Sequence, residues 1–280
     1  MNDHALRSFI LNALAEDTGS GDHSSLASIP SAVTGRARLL VKENGIIAGL
    51  HVASEVFMIT DPSLETVIRI EDGSRVTYGD IALTVSGRVH SILRAERLVL
   101  NIMQRMSGIA TATAAYVEKV SDTKARITDT RKTTPGMRAL EKEAVRLGGG
   151  VNHRMGLYDM IMLKDNHVDY AGGIAAAVKH TQEYLGKHNL PLKIEVEARS
   201  LTEVREILAV GGVDRIMLDN FDIPTTREAV AIIGEKAETE SSGGITLANV
   251  RDYALCGVDF ISIGALTHHI KSLDMSLKAF

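Results

Sequence analysis

The spacing of apolar residues changes near residue 125, and the change divides the chain in two. Ahead of it, Leu6, Ile10, Leu11 and Leu14 recur at helical intervals and predict a helix over residues 4–15. The stretch EDTGSGDHSS that follows is rich in Gly, Asp and Ser and reads as a loop. Three β-rich runs come next, ARLLVKE, GIIAGL and ETVIRI, with a short helix HVASEVFMI between the second and third. Residues 72–89 alternate glycine-centred turns with short β runs, and Ser91 to Lys119 is one long helical pattern.

Beyond residue 125 strands and helices alternate. The predicted strands are ARITDT, DMIMLK, LKIEVE, RIMLD, AETES and DFISIG. The helices between them are Arg138 to Leu147, Gly173 to Lys187, Leu201 to Ala209, Pro224 to Gly234 and Leu247 to Cys256. Consecutive βα units of this kind predict an α/β fold with a parallel sheet, in the form of an incomplete (β/α) barrel. The expected organisation is an N-terminal α/β sandwich over residues 1–112 and a barrel over 113–280, the last residues packing back on the first domain. The run at 72–89 is hammerhead-like and resembles the fold of biotinyl carriers, but it lacks the exposed lysine that a carrier needs.

Composition narrows the class. A chain of 280 residues can bury a substantial core. Its net charge of -4 argues against a nucleic-acid partner, which calls for a basic face. No apolar run is long enough to span a membrane, and MNDHALRSFILNALAED reads as an acidic amphipathic helix, not a targeting peptide. The one cysteine, Cys256, excludes an internal disulfide and fits a reducing, cytoplasmic setting. Its apolar neighbours in YALCGVDF make it an inert core thiol. With no Trp and few aromatic residues, a ligand is not held mainly by stacking.

Polar residues out of place in a core lie at or just past the C-terminal ends of the predicted strands: Arg131 and Lys132, Lys164, Glu197, Asp219, Ser242 and Gly264. In a β/α barrel all these ends share one mouth, where catalytic groups collect. Arg131, Lys132, Arg154 and Lys164 together call for an anionic ligand, because unpaired buried charge is costly. Arg suits planar recognition of carboxylate or phosphate, and Lys supplies a mobile point charge. Gly148 to Gly150 lead into His153 and Arg154 and match neither a Walker loop nor a Rossmann fingerprint; beside Arg154, His153 is a candidate anion donor. Glu195 and Glu197 alternate in IEVE and face one side of a strand, so cations must share their space. Lys132 and Lys164 suit that need, and a hydrated Mg2+ at Glu197 and Asp219 suits it equally. Ser242, Gly243 and Gly244, with Ile263, Gly264 and Ala265, offer backbone N–H groups at the last two strand ends, a cup for phosphate. No His or Cys grouping has zinc spacing, and His268-His269 reads as a surface pair.

DTRKTTPGMR, GGGVNHRMGLYDMIMLKDNH, IEVE, IMLDNF, ESSGGIT and GVDFISIGALTHH, in that order, resemble the quinolinate phosphoribosyltransferase family. EDTGSGDHSS, VKENGIIAG and AERLVLNIMQRMSGIATAT extend the resemblance over nearly the whole chain. It implies a homodimer with shared sites, and it implies transfer of phosphoribose from phosphoribosyl pyrophosphate to quinolinate. Nicotinate mononucleotide, pyrophosphate and CO2 are the implied products, with Mg2+, on the de novo route to NAD. Carried over by motif, Arg97 reaches quinolinate across the dimer, while Arg131, His153 and Arg154 complete the cradle for its two carboxylates. Lys132 and Lys164 lie beside the phosphoribosyl pyrophosphate and the reacting centre, Glu197 and Asp219 face the ribose and Mg2+, and Ser242 to Gly244 with Ile263 to Ala265 hold the 5′-phosphate. The alternatives are a nicotinate-type phosphoribosyltransferase, which needs fewer cations, and a non-catalytic anion-binding relative associated with molybdate transport, which needs neither Glu197 nor Asp219.

Overall fold

The computed structural model describes residues 3–280 and resolves into two units. One comprises the chain up to Ala114, Thr133–Gly149 and Thr267–Phe280; the other comprises Ala115–Lys132 and Gly150–Leu266. In chain order the elements begin α1 (Asp3–Thr18), α2 (His23–Ser28), β1 (Thr34–Val41), β2 (Gly45–Ile46) and α3 (Leu50–Thr60). They continue β3 (Glu65–Ile68), β4 (Arg75–Val76), β5 (Ile81–Arg88) and α4 (Val89–Val120), within which the chain passes to the second unit. Then follow β6 (Arg126–Thr128), α5 (Arg138–Leu147), β7 (Ile161–Leu163), α6 (Asp165–Ala171), α7 (Ile174–His188) and β8 (Ile194–Ala198). The chain ends with α8 (Leu201–Val210), β9 (Arg215–Asp219), α9 (Ile223–Ile233), β10 (Glu238–Ser242), α10 (Val250–Ala254), β11 (Phe260–Ser262), α11 (Ala265–His268) and β12 (Met275–Ala279).

In the first unit an antiparallel sheet runs β12-β1-β5-β3. The alternation along β1 buries Ala37, Leu39 and Val41, while Ala53, Val56 and Phe57 form the buried stripe of α3. Each large apolar side chain so buried contributes about 1.5–3 kcal/mol. The run GIIAGL does not form the strand expected of it. Only Gly45 and Ile46 enter a ladder, with β4, and Ile47 adds backbone hydrogen bonds to Gly73 and Ser74 before Gly49, at φ 97, turns the chain into α3 at Leu50. The loop expected before β1 contains α2, whose N-cap is Asp22, accepting the Ser25 N–H at 3.1 Å.

The second unit is built on a parallel sheet in the order β6-β11-β10-β9-β8-β7. Val151 adds a single parallel bridge to Thr128 on the far side of β6. Among the described residues no ladder joins Val151 to β7, so the barrel is incomplete, as the strand count predicts. Ile194, Val196 and Ala198 of β8 and Ile216 and Leu218 of β9 pack in one apolar cluster with Val178, Val204, Ala229 and Ile233 of the surrounding helices. Strand alternation then turns Glu195, Glu197, Arg215, Met217 and Asp219 to the opposite, interior face. The sequence pattern misses α6, which buries only Val168 and so carries no apolar stripe.

Candidate active site

Lys164 follows β7, Glu197 lies in β8, Asp219 ends β9, Ser242 ends β10 and Gly264 lies just beyond β11. Because these strands are parallel, the five positions share one rim. Lys164 Nζ donates to Glu197 Oε2 at 3.2 Å, and the Lys164 N–H donates to His167 Nδ1 at 3.0 Å, which fixes the turn into α6. Asp219 stands in register with Ser242. Asn220, at φ 55, joins the two strand ends: its N–H donates to the Ser242 carbonyl and its Nδ2 to Asp219 Oδ2, each at 2.8 Å. Gly243, at φ 94, is packed so closely on Asn220 that a Cβ there would collide with the Asn220 side chain. Among the described residues no protein acceptor meets the N–H groups of Gly243 and Gly244.

Arg131 and Arg154 lie near enough for each charge to act on the other. Burial, and then the Arg131 charge, hold Arg154 below the ordinary guanidinium range, against the pull of Glu195 and Asp159. Among the described residues Arg131 Nε is buried with no hydrogen-bond partner, and Arg154 Nη1 donates only to the Met160 carbonyl, at 3.2 Å. The segment carrying Arg154 is anchored by Asp129, fully buried just past β6, which accepts from Asn152 Nδ2 at 2.6 Å and from the His153 N–H at 2.9 Å.

His153 differs from its expected role. Its ring is buried and turned inward, with Nε2 at 3.0 Å from Glu195 and 3.5 Å from Glu240, while Nδ1 accepts the Arg154 N–H at 2.7 Å. Neither ring nitrogen is left to donate to a ligand at the mouth. Burial opposes a charged ring, but the two carboxylates outweigh it and raise the pKa to about 9. Burial and Glu240 likewise raise Glu195 to about 7, whereas His153 and Arg215 outweigh burial at Glu240 and lower it. The carboxylates favour a doubly protonated ring, and the Arg154 amide requires a bare Nδ1. At 2.7 Å a second N–H would be repelled, so the proton held here lies on the Nε2 side, between ring and carboxylates.

The groups that compensate the IEVE acids therefore differ from the lysines expected. Lys164 meets Glu197, but Glu195 is met by His153 and by the charge of Arg215, whose Nη1 donates to Glu240 at 2.9 Å. Ile263 is a second correction: its N–H donates to the Thr128 carbonyl at 3.0 Å and its side chain is buried, so it cannot contribute to a phosphate cup. Lys132 is exposed beyond Arg131, and Arg97 is exposed on α4 in the first unit. Cys256 is buried, with its thiol pushed up by desolvation, and takes no part. Asp129, His167, Glu240 and Asn220 escaped the sequence reading. An acid at a strand end was the only local sign of Asp129, and Asn before a left-handed turn the only sign of Asn220.

Family models for the quinolinate phosphoribosyl transferase N-terminal domain and C-terminal domain match residues 22–107 and 109–278. The chloroplastic nicotinate-nucleotide pyrophosphorylase [carboxylating] of Arabidopsis thaliana is 47% identical over 98% of this chain and 82% of its own. A quinolinate phosphoribosyltransferase [decarboxylating] of Nicotiana tabacum is 45% identical over the same shares. NadC from Streptococcus pyogenes superposes with a TM-score of 0.94 at 38% identity, covering 100% of this chain and 99% of that one.

Proposed function

The chain belongs to the quinolinate phosphoribosyl transferase family, and from that premise we propose how its own residues divide the work. The reaction is phosphoribosyl transfer from phosphoribosyl pyrophosphate to quinolinate with decarboxylation, giving nicotinate mononucleotide, pyrophosphate and CO2 in NAD biosynthesis. One observation carries the assignment of the acceptor site: two partly buried arginines, Arg131 and Arg154, near enough for their charges to act on each other, with the Arg131 Nε buried and unmatched. Like charges held together in that way call for an anion between them. A planar pyridine diacid answers both guanidiniums.

On this reading the bond from the ribosyl C1′ to the pyrophosphate oxygen breaks, and the electron pair leaves with pyrophosphate. Glu197 and Asp219 favour the positive charge that develops on the sugar. The quinolinate nitrogen then bonds to C1′ and becomes cationic. The adjacent carboxylate departs as CO2, leaving its electron pair on the ring carbon, where the cationic nitrogen stabilises it until a proton is taken up. No protein nucleophile is required, so Ser242, Gly243 and Gly244, with Gly264 and Ala265, are assigned to the 5′-phosphate. Lys132 and Lys164 are assigned to the pyrophosphate and the reacting centre. Positioning then supplies most of the rate.

Glu197 and Asp219 are carboxylates on the inward face of neighbouring strands, a donor set that suits Mg2+ only when substrate oxygens complete it. Bound there, the ion would offset the charge of the pyrophosphate. The exposure of Arg97 on α4 supports its donation to a neighbouring subunit in a homodimer. A reducing, cytoplasmic location suits the buried free thiol of Cys256, and among the described residues no helix is long and apolar enough to cross a membrane.

The test is release of labelled CO2 from carboxyl-labelled quinolinate, with and without phosphoribosyl pyrophosphate. Release that needs both compounds is expected. Transfer to nicotinate in preference to quinolinate, or no transfer at all, would overturn the reading.

A further inference from the structure

The barrel interior beneath the rim is filled with charge. Arg126 and Arg215 lie against the Phe260 ring, 4.4 Å and 3.7 Å from its centroid. Arg215 donates to Glu238 at 3.0 Å and to Glu240 at 2.9 Å. Glu240 and Glu195, both fully buried, then face the His153 ring. Both Glu195 carboxylate oxygens are buried without an aligned hydrogen bond, although Oε2 lies 3.0 Å from His153 Nε2. Glu195 thus keeps acceptor capacity and charge directed at its surroundings, and among those surroundings is Arg154, which its charge attracts.

This explains how Arg131 and Arg154 stay together before any ligand arrives. The two charges repel each other, and the negative charge that Glu195 keeps in part at neutral pH offsets some of that repulsion. The same residue braces the His153 ring, and the ring braces the Arg154 backbone through Nδ1. We propose that Glu195 and Glu240 are positioning residues that hold the His153–Arg154 segment and keep Arg154 beside Arg131, ready for the quinolinate carboxylates. The proposal rests on the assignment of Arg131 and Arg154 to the acceptor site. One ligand atom each from His153, Glu195 and Glu240 lie within 4.8 Å of one another, a spacing that also admits a divalent ion. The guanidinium of Arg215 already supplies positive charge to Glu240, so the structure favours a metal-free network.

The experiment compares Glu195→Gln and Glu240→Gln, which keep side-chain size and remove charge, with Arg131→Ala and the unmodified protein. KM for quinolinate, KM for phosphoribosyl pyrophosphate and kcat are measured separately, with circular dichroism to confirm folding. Both Gln variants are expected to raise KM for quinolinate about 10-fold and to leave KM for phosphoribosyl pyrophosphate within about twofold, the scale of a slightly misplaced binding group. Glu195→Asp, which restores the charge, is expected to recover most of the loss, and it carries the test if either Gln variant fails to fold. If both KM values stay fixed or move together while Arg131→Ala still raises that for quinolinate, the positioning role is wrong and the cradle stands. If Arg131→Ala leaves quinolinate binding unchanged, the cradle itself is wrong. A stoichiometric divalent ion in the purified protein that is lost in Glu240→Gln would also overturn the proposal.

Discussion

The inner end of the barrel and its mouth hold similar groups arranged to opposite effect. At the inner end charge meets charge, Arg215 with Glu238 and Glu240 and Lys193 with Glu238 at 3.7 Å, and the His153 ring shares a proton with Glu195. At the mouth Arg131 and Arg154 lie within reach of each other's charge, and no carboxylate is hydrogen-bonded to either among the described residues. Among these arginines, the one hydrogen-bonded to carboxylates serves the fold, and the two without such a bond are held for a ligand. The difference separates structural from functional residues of the same chemical type, which composition alone cannot do.

The comparison breaks most readily at the mouth. Glu197→Gln is expected to lower kcat about 100-fold, the usual effect of removing one group aimed at developing charge. Thermal unfolding should change little, because among the described residues Glu197 is paired only with the half-exposed Lys164. Equal losses of stability and turnover would move Glu197 into the structural set. At the inner end the signs reverse. Arg215→Met leaves the buried Glu240 without its hydrogen-bonded cation and Glu238 with Lys193 alone, and should cost about 3 kcal/mol in denaturant unfolding. A variant as stable as the parent would mean that the interior charges are not coupled.

A control from the first unit sharpens the scale. Asp61 accepts from Ser91 Oγ at 2.6 Å, from Ser63 Oγ at 2.7 Å and from Arg88 Nε at 2.9 Å. The Ser91 hydrogen bond above all, against the cost of burial, holds its carboxyl far below the usual range, with Ser63 and Arg88 assisting. Asp61→Asn should therefore cost about 2 kcal/mol near neutral pH, the worth of hydrogen bonds to a charged group. Because the folded pKa is depressed, that stability is present above the unfolded value of about 3.9 and disappears as pH falls toward the folded one. Unfolding curves of parent and variant should thus converge in acid. A gap independent of pH would show that packing, not ionisation, is what Asp61 contributes.

Much of the architecture was legible because it rests on local rhythm. Strand-helix alternation after residue 125 identifies the parallel sheet, and the two-residue period of IEVE turns Glu195 and Glu197 to one face. The rim residues were legible for the same reason, since a strand end is a local feature. What stayed hidden depends on partners distant in the chain. Nothing near Glu195 reveals that His153 and Arg215 will compensate it, or that Thr128 will take the Ile263 N–H. GIIAGL misled because its β-rich composition is overruled at Gly49, where the backbone enters the left-handed region and starts a helix.

The most direct measurement is calorimetric titration of quinolinate into the parent protein and into Arg131→Ala and Arg154→Ala. Each substitution is predicted to weaken binding by about 100-fold or more, as expected when one partner of a partly buried charge pair is truncated, with the folded state retained. Affinity for quinolinate unchanged in both variants would contradict the claim that the guanidinium pair without a bonded carboxylate is where the diacid binds.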